Sequence, residues 1–337
     1  MERLRGEQPA DRARAARILS TGGLVAVPTE TVYGLAAHSL DAAAVRRVFS
    51  VKGRPLLDPL IVHFASADAV ESFCEIPPAA RALADRFWPG PLTLVLGRRP
   101  RCGIPDLVSA GLPTLAVRVP AHPTLRALLL ESGLPLAAPS ANPFGYISPT
   151  LAEHVETSLG DRIDAILDGG PCRHGLESTI VAVGPHGSVR LLRPGPVSRE
   201  AIGALPGIRF AEKEPSPAAN PEAPGMLASH YRPAKGIRLF PEGEPPGAAD
   251  ADQTATVFLR RPADPGPGVH WFSEDGESTS IARNLFDLLR KLDRDPDVRC
   301  IRVEYPSAGT RLLPAIRDRL SRAAAPLPTE PSPKQDR

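Results

Sequence analysis

The residues whose types could do chemistry stand where apolar, strand-like runs end. Leu24 to Val27 reads as a buried strand that gives way at Pro28 to Thr29, Glu30 and Thr31, with Gly34 permitting a sharp loop. Polar groups at the C-terminal mouth of a strand are where open α/β sheets collect ligands. The pattern recurs: Pro139-Ser140-Ala141-Asn142 leaves an extended apolar run, Glu177-Ser178-Thr179-Ile180 opens another, and Arg193 precedes Pro194-Gly195. Lys52 and Arg54 flank Gly53, and Arg118 lies inside Leu115 to Val119. Taken singly, Lys52 and Arg54 read as a solvated helix end and Arg193 as a hairpin-end charge. Arg118 is harder to dismiss, because a guanidinium alternating within an apolar strand must meet an anion. His63, within Leu60 to Phe64, reads first as a satisfied core histidine and second as a ligand or base.

The chemistry open to such a set is anion binding, with cations, hydroxyls and an amide donating to phosphate or carboxylate. A serine nucleophile is the weaker reading, since no His and Asp partners can be read beside Ser140 or Ser178. The P-loop, dinucleotide-binding, nucleophile-elbow and zincin signatures are all absent.

These residues need elements to hold them, and the chain of 337 residues is long enough for two domains. Apolar spacing predicts helices over Pro9 to Thr21, from Asp41 toward Lys52, Ala79 to Phe87, Pro123 to Ser132 and Ser148 to about Leu159. Strands are expected at Leu24 to Val27, Leu60 to Phe64, Leu92 to Leu96, Thr114 to Val119, Leu136 to Pro139, Ala165 to Leu167, Ser178 to Val183 and Val189 to Leu192. The proline-rich stretch from Lys213 to Gly225 reads as a linker. Beyond it, strands Ile237 to Phe240, Ala255 to Leu259 and Cys300 to Tyr305, with helices Ile281 to Leu292 and Arg311 to Arg322, suggest a small parallel sheet. The expected division is a first domain over 8–210, a linker or lid over 211–233, a small α/β domain over 234–325 and a disordered tail over 326–337.

Lys plus Arg of 40 against Asp plus Glu of 38 leaves a formal charge of +2, so no global basic field argues for tight nucleic-acid binding. The four cysteines are far apart and form no CxxC pair, which suits incidental thiols in a reducing compartment. The N-terminus lacks the apolar core of a signal peptide, and no run of about 18 apolar residues occurs. The expectation is a cytoplasmic protein with no membrane contact.

Together, Pro28 to Leu35 (PTETVYGL), Lys52 to His63 (KGRPLLDPLIVH), Trp88 to Thr93 (WPGPLT), Ala116 to Pro120 (AVRVP), Ala138 to Asn142 (APSAN), Asp168 to Gly170 (DGG), Glu177 to Ile180 (ESTI) and Leu192 to Pro196 (LRPGP) resemble the YrdC-type threonylcarbamoyl-AMP synthase family. Pro224-Gly225-Met226 and Ser229 to Pro233 (SHYRP) resemble its long two-domain form, in which the linker lies back over the active site.

The resemblance implies an α/β fold: a twisted mixed sheet, mostly parallel-stranded, around a basic cavity, plus a small Rossmann-like domain. It implies that L-threonine, bicarbonate and ATP, with Mg²⁺, give threonylcarbamoyl-AMP and pyrophosphate. The product feeds a separate tRNA threonylcarbamoyl transferase machinery, with tRNA itself at most a weak partner. By matching positions, threonine meets Thr31, His63, Arg118, Ala138 and Ser178. ATP meets Arg54, Asp58, Thr114, Ser140, Asn142, Ser148, Arg193 and Tyr231. Lys52 and Arg54 are the catalytic cations, and no protein metal ligand is implied. Asp58 departs from the family's usual asparagine, so an amide donor becomes an acceptor-only carboxylate. It turns toward Mg²⁺ or a basic neighbour, or that contact is missing.

A carbamate formed from threonine's amine is already a nucleophile, so the site must align reactants and neutralise charge rather than supply a strong base. Two alternatives compete. One is a carbamoyl-transfer enzyme of hydrogenase-maturation type, which carries the CxxC pairs this chain lacks. The other is a non-catalytic RNA-binding module, which has no use for a complete threonine-contacting set.

Overall fold

A computed structural model describes residues 1–184, 187–211, 221–226, 230–244 and 253–326. The first unit opens with β1 (Glu2–Arg5), α1 (Pro9–Ser20), β2 (Val25–Val27), β3 (Gly34–His38), α2 (Ala42–Lys52), β4 (Ile61–His63), α3 (Ala67–Glu71), α4 (Pro78–Phe87) and β5 (Leu92–Gly97). It continues with α5 (Asp106–Ser109), β6 (Thr114–Arg118), α6 (Pro123–Ser132), β7 (Leu136–Ala137), α7 (Ala152–Leu159), β8 (Ala165–Asp168), β9 (Thr179–Val183), β10 (Ser188–Arg193), α8 (Arg199–Gly203) and β11 (Arg209–Phe210). The second unit comprises β12 (Gly236–Pro241), β13 (Thr254–Arg260), β14 (Val269–Ser273), α9 (Ser278–Arg294), β15 (Cys300–Tyr305) and α10 (Leu313–Ala324).

The first sheet has eleven strands in the order β1-β8-β2-β3-β7-β4-β6-β5-β9-β10-β11. Its ten pairings divide evenly, five parallel and five antiparallel, so the sheet is mixed as expected but not mostly parallel. Two of the antiparallel pairs, β2 with β3 and β9 with β10, arise where short connections fold the chain straight back. The second sheet is fully parallel, in the order β12-β15-β13-β14.

Local signals explain the helices that matter to the site. Asp41 caps α2 by accepting from the amides of Ala43 and Ala44, and Gly53 ends it in the left-handed region at φ 62°. That stop sets Lys52 and Arg54 on either side of a turn. The helix expected from Ser148 begins instead at Ala152, because the carbonyls of Ser148, Pro149 and Thr150 accept long-range bonds from Arg290, Tyr33 and Cys172.

Four strands escape the sequence reading, among them the two-residue β11. In β1 only Leu4 is buried, too little to show a period, yet the strand pairs with β8, so the first unit starts at Glu2 rather than 8. β3 begins inside the stretch read as loop, at Gly34. β14 is half-buried and shows no alternation. The four cysteines are unpaired, and the tail beyond Pro326 lies outside the described residues, as does most of the linker.

The two units share a core. Val32, Ile147 and Leu176 of the first unit pack with Tyr231 and with Ile281, Phe286 and Leu289 of α9. Phe286 is fully buried and its ring stacks on Tyr231 at 5.5 Å. Two arginines of the second unit, Arg290 and Arg319, are the largest fully buried side chains described, and both reach into the first unit. Phe286→Ala should therefore cost about 3–5 kcal/mol of stability, the usual loss for a buried phenylalanine. Urea unfolding of the full chain checks it; an unchanged midpoint would mean that the two units do not share this core.

Candidate active site

Several chain segments end at one cavity. The segment after β2 brings Thr29, Thr31 and Val32; β4 and β6, parallel neighbours, bring His63 and Arg118 as register partners. The turn after β7 brings Ala138, Pro139 and Ser140. Ser178 precedes β9, and Arg193 ends β10 just past a register shift between Leu191 and Arg193. Such a bulge re-aims a side chain, here into the cavity rather than across the sheet. Gly195 allows the two strands to touch, since a Cβ there would lie 2.4 Å from the Thr179 nitrogen. The last segment, from the described part of the linker, contributes Pro224, Gly225, His230 and Tyr231.

Charge in this wall is largely buried and largely paired. Arg118 donates from Nη2 to Glu30 at 2.6 Å, from Nη1 to Thr31 at 2.9 Å and from Nε to the Gly90 carbonyl at 3.1 Å. Glu30 also accepts from the amides of Ala121 and His122, and Arg118 together with these bonds keeps its carboxyl below the usual range despite burial. Arg54 wraps the next loop, donating to the carbonyls of Asp58 and Pro59 and standing 2.9 Å from the Asp58 carboxylate. That carboxylate is near Arg54 but poorly aligned with it, so both oxygens lack a hydrogen bond, and burial pushes its pKa up. Glu177 accepts from Ser148 and from Arg319. Among the described residues, Arg193 and Lys52, by contrast, donate to neutral acceptors: Ser178 and the Pro224 carbonyl for the one, the carbonyls of Ser140 and Asn142 for the other. With the three carboxylates matched by three arginines, Arg193 leaves the cavity wall an excess of positive charge, suited to an anion.

All five residues expected to meet threonine, Thr31, His63, Arg118, Ala138 and Ser178, line this one cavity. Arg54, Ser140, Arg193 and Tyr231 line it as well. Lys52, Asp58, Asn142 and Ser148 lie behind the lining, buried, and Thr114 is half-buried at the far end of β6. Lys52, expected among the catalytic cations, gives two of its three N–H donors to the carbonyls of Ser140 and Asn142, and burial drives its pKa well down. Asn142 spends its amide nitrogen on Pro143 and Tyr146. Asp58 resolves toward a basic neighbour, Arg54. Glu177 and His230 were quoted within motifs without a role; their burial beside opposite-charge or aromatic partners is visible only in three dimensions.

Several buried polar atoms at the cavity have no hydrogen-bond partner among the described residues: His63 Nδ1, His230 Nδ1 and the Tyr231 hydroxyl. Native proteins leave few such groups, so a cluster of them marks where a ligand's polar atoms belong. The cavity volume is about 50 Å³. No group of three His, Cys, Asp or Glu side chains that could hold a metal ion occurs among the described residues, and Glu30, Asp58 and Glu177 each stand beside an arginine. No helix among the described residues is long and apolar enough to cross a membrane.

The family model described as "Telomere recombination", covering the Sua5, YciO and YrdC proteins, matches residues 17–195, and one described as "Threonylcarbamoyl-AMP synthase, C-terminal domain" matches 197–325. The chain is 40% identical over 326 residues to threonylcarbamoyl-AMP synthase of Bacillus subtilis, covering 93% of this chain and 92% of that one. It is 41% identical over 290 residues to the protein of the same name from Pyrococcus abyssi, covering 83% and 84%. The crystal structure of P. abyssi Sua5 complexed with L-threonine superposes with a TM-score of 0.83 at 36% identity, covering 96% of this chain and 97% of that one. E. coli YciO, 21% identical with a TM-score of 0.50, shares the fold over 58% of this chain.

Burial pushes the His63 imidazole down to about 3, from an ordinary value of 6.5. Below pH 6.5 the unfolded chain therefore holds a proton at His63 that the folded chain refuses. Stability falls as pH drops from 6.5 toward 3, by up to about 1.4 kcal/mol per pH unit from this group. Between pH 7 and 5, urea unfolding should show wild type losing about 2 kcal/mol more than His63→Gln; coincident profiles would mean that His63 is protonated in the folded protein.

Proposed function

The chain belongs to the Sua5/YciO/YrdC family in its two-domain form, and from that membership we propose that it is a threonylcarbamoyl-AMP synthase. It joins L-threonine, bicarbonate or CO₂ and ATP into threonylcarbamoyl-AMP and pyrophosphate, a nucleotidyl transfer. The observation that carries the reading is the convergence on one cavity of Thr31, His63, Arg118, Ala138 and Ser178 with Arg54, Ser140, Arg193 and Tyr231.

A guanidinium has five N–H donors, and Arg118 spends three on Gly90, Thr31 and Glu30. Two remain for the threonine carboxylate, with Glu30 fixing the fork before the ligand arrives. Thr31 and Ser178 offer hydroxyls to the amino acid's polar atoms, and neutral His63 orients it through a ring nitrogen rather than moving a proton. Threonine's amine and CO₂ give a carbamate; its oxygen attacks the α-phosphorus, the bond to the bridging oxygen breaks and pyrophosphate leaves. Arg54 and Arg193 neutralise the charge gathering on the phosphate oxygens. Lys52 and Asn142 act indirectly, holding the Ser140 turn. Magnesium enters with ATP as part of the substrate, held by phosphate oxygens.

A cavity of about 50 Å³ is far below the roughly 300–1,000 Å³ of small-molecule clefts. Substrates must therefore displace the segment carrying Pro224, Gly225, His230 and Tyr231, which acts as a lid. Tyr231 holds the left-handed φ of 63°, a backbone state that costs an aromatic residue about 1–3 kcal/mol and that packing against Phe286 and Arg319 maintains. Closure keeps water from the labile mixed anhydride. The product then passes in the cytoplasm to a separate transferase that modifies tRNA.

The test is pyrophosphate release from ATP with threonine and bicarbonate each omitted in turn. Release should need both, and leucine and phenylalanine should fail, with polar-contact discrimination reaching about 10⁴-fold; equal release with all three amino acids sinks the proposal. Arg118→Ala should weaken threonine use by about 2–5 kcal/mol, and Arg118→Lys should recover only part, because the planar fork is lost. A folded Arg118→Ala chain with unchanged KM for threonine would remove Arg118 from the substrate site.

A further inference from the structure

Arg319 belongs to α10 of the second unit, yet it is fully buried in the first. Its Nε donates to Glu177 Oε2 at 2.8 Å and its Nη1 to the Pro194 carbonyl at 3.1 Å. Those two acceptors adjoin the ligand-lining residues of neighbouring strands: Glu177 precedes Ser178, and Pro194 follows Arg193. The pair is already coupled, since Arg193 donates to both the carbonyl and the hydroxyl of Ser178. The guanidinium carbon also lies 5.2 Å from the centre of the Tyr231 ring. One side chain thus touches three separate segments of the cavity wall, and its fork geometry fixes the spacing of two of them.

We propose that Arg319 is a positioning residue, through which the second unit sets the relative placement of Ser178, Arg193 and Tyr231. This rests on the synthase reading. A buried guanidinium is a demanding choice for a plain strut, because a leucine or methionine would fill the space without needing acceptors. What it adds is direction. Two donors at a fixed angle hold Glu177 and Pro194 in register, and the ring contact fades as Tyr231 moves away, so the same residue responds to lid position. Asp318, paired to Nη1 at 2.6 Å, keeps the fork from turning. Glu177 is held at its other oxygen by Ser148, so the clamp extends to the nucleotide side of the cavity.

The experiment compares full-length wild type, Arg319→Met, Arg319→Lys, Glu177→Gln and the Arg319→Met/Glu177→Gln double variant. It reads kcat and KM for ATP and threonine, ATP affinity by calorimetry, and melting temperature. A displacement of about 1 Å in such a wall costs about a hundredfold, so Arg319→Met should lose about that much in kcat/KM for ATP. Arg319→Lys should recover part of it, and the double variant should be no worse than the poorer single one. If Arg319→Met does not fold, Arg319→Lys and Glu177→Gln, which preserve volume, carry the comparison. A folded Arg319→Met with normal kcat/KM, a lowered melting temperature with kinetics intact, or losses that add in the double variant would each overturn the proposal. A wild type that releases no pyrophosphate overturns the synthase reading and this inference with it, whereas an active wild type beside an unaffected Arg319→Met overturns this inference alone.

Discussion

A guanidinium or ammonium taken out of water must find an acceptor for its donors, and that requirement organises this molecule. Lys52, Arg54, Arg118, Arg193, Arg290 and Arg319 are all buried. Each dictates the course of the chain around it, because main-chain carbonyls supply most of the acceptors. Arg54 curls the loop at Asp58 and Pro59, Lys52 closes the turn at Ser140 and Asn142, and Arg290 collects the carbonyls of Ile147, Ser148 and His154. Loops that would otherwise be free to wander are held by the charge they satisfy.

The sheet makes this possible. Mixed pairing brings strand ends and starts to the same edge, so that the C-terminal ends of β4, β6 and β10 meet the entry to β9 at one place. His63 and Arg118 face the cavity as register partners, and the bulge before Arg193 turns that side chain into the same space. The rigid apolar layer beneath, built on Val62, Leu94, Val117 and Val181, fixes the polar groups that cannot fix themselves.

The second unit completes the wall. Its helices bury their apolar face against Tyr231 and against Val32, Ile147 and Leu176 of the first unit, and two of its arginines cross the boundary. A hydrophobic interface alone would hold the units together; the arginines add specific angles, which is what a site handling phosphate and carboxylate needs.

The sequence by itself determined where the polar groups would gather and which motifs they belong to. Proline and glycine mark the element ends at Pro28, Gly53 and Gly195, and the motifs from PTETVYGL to LRPGP supply most of the residues that line the cavity. Apolar periodicity marked most helices and the better-buried strands, while β1, β3, β11 and β14 stayed hidden because they are short, almost wholly buried or without alternating burial, leaving no period to read. Only the tertiary structure decided what each charge does. Lys52 and Arg118 both looked like ligand-binding cations, yet Lys52 lies behind the cavity lining on the carbonyls of Ser140 and Asn142, whereas Arg118 stands in the lining with two of its five donors uncommitted among the described residues. Arg319 and Glu177 stand 142 residues apart, and nothing local to either announces the other. A charge's role is set by its partners, and partners so distant in the chain are chosen by packing, which sequence spacing does not encode.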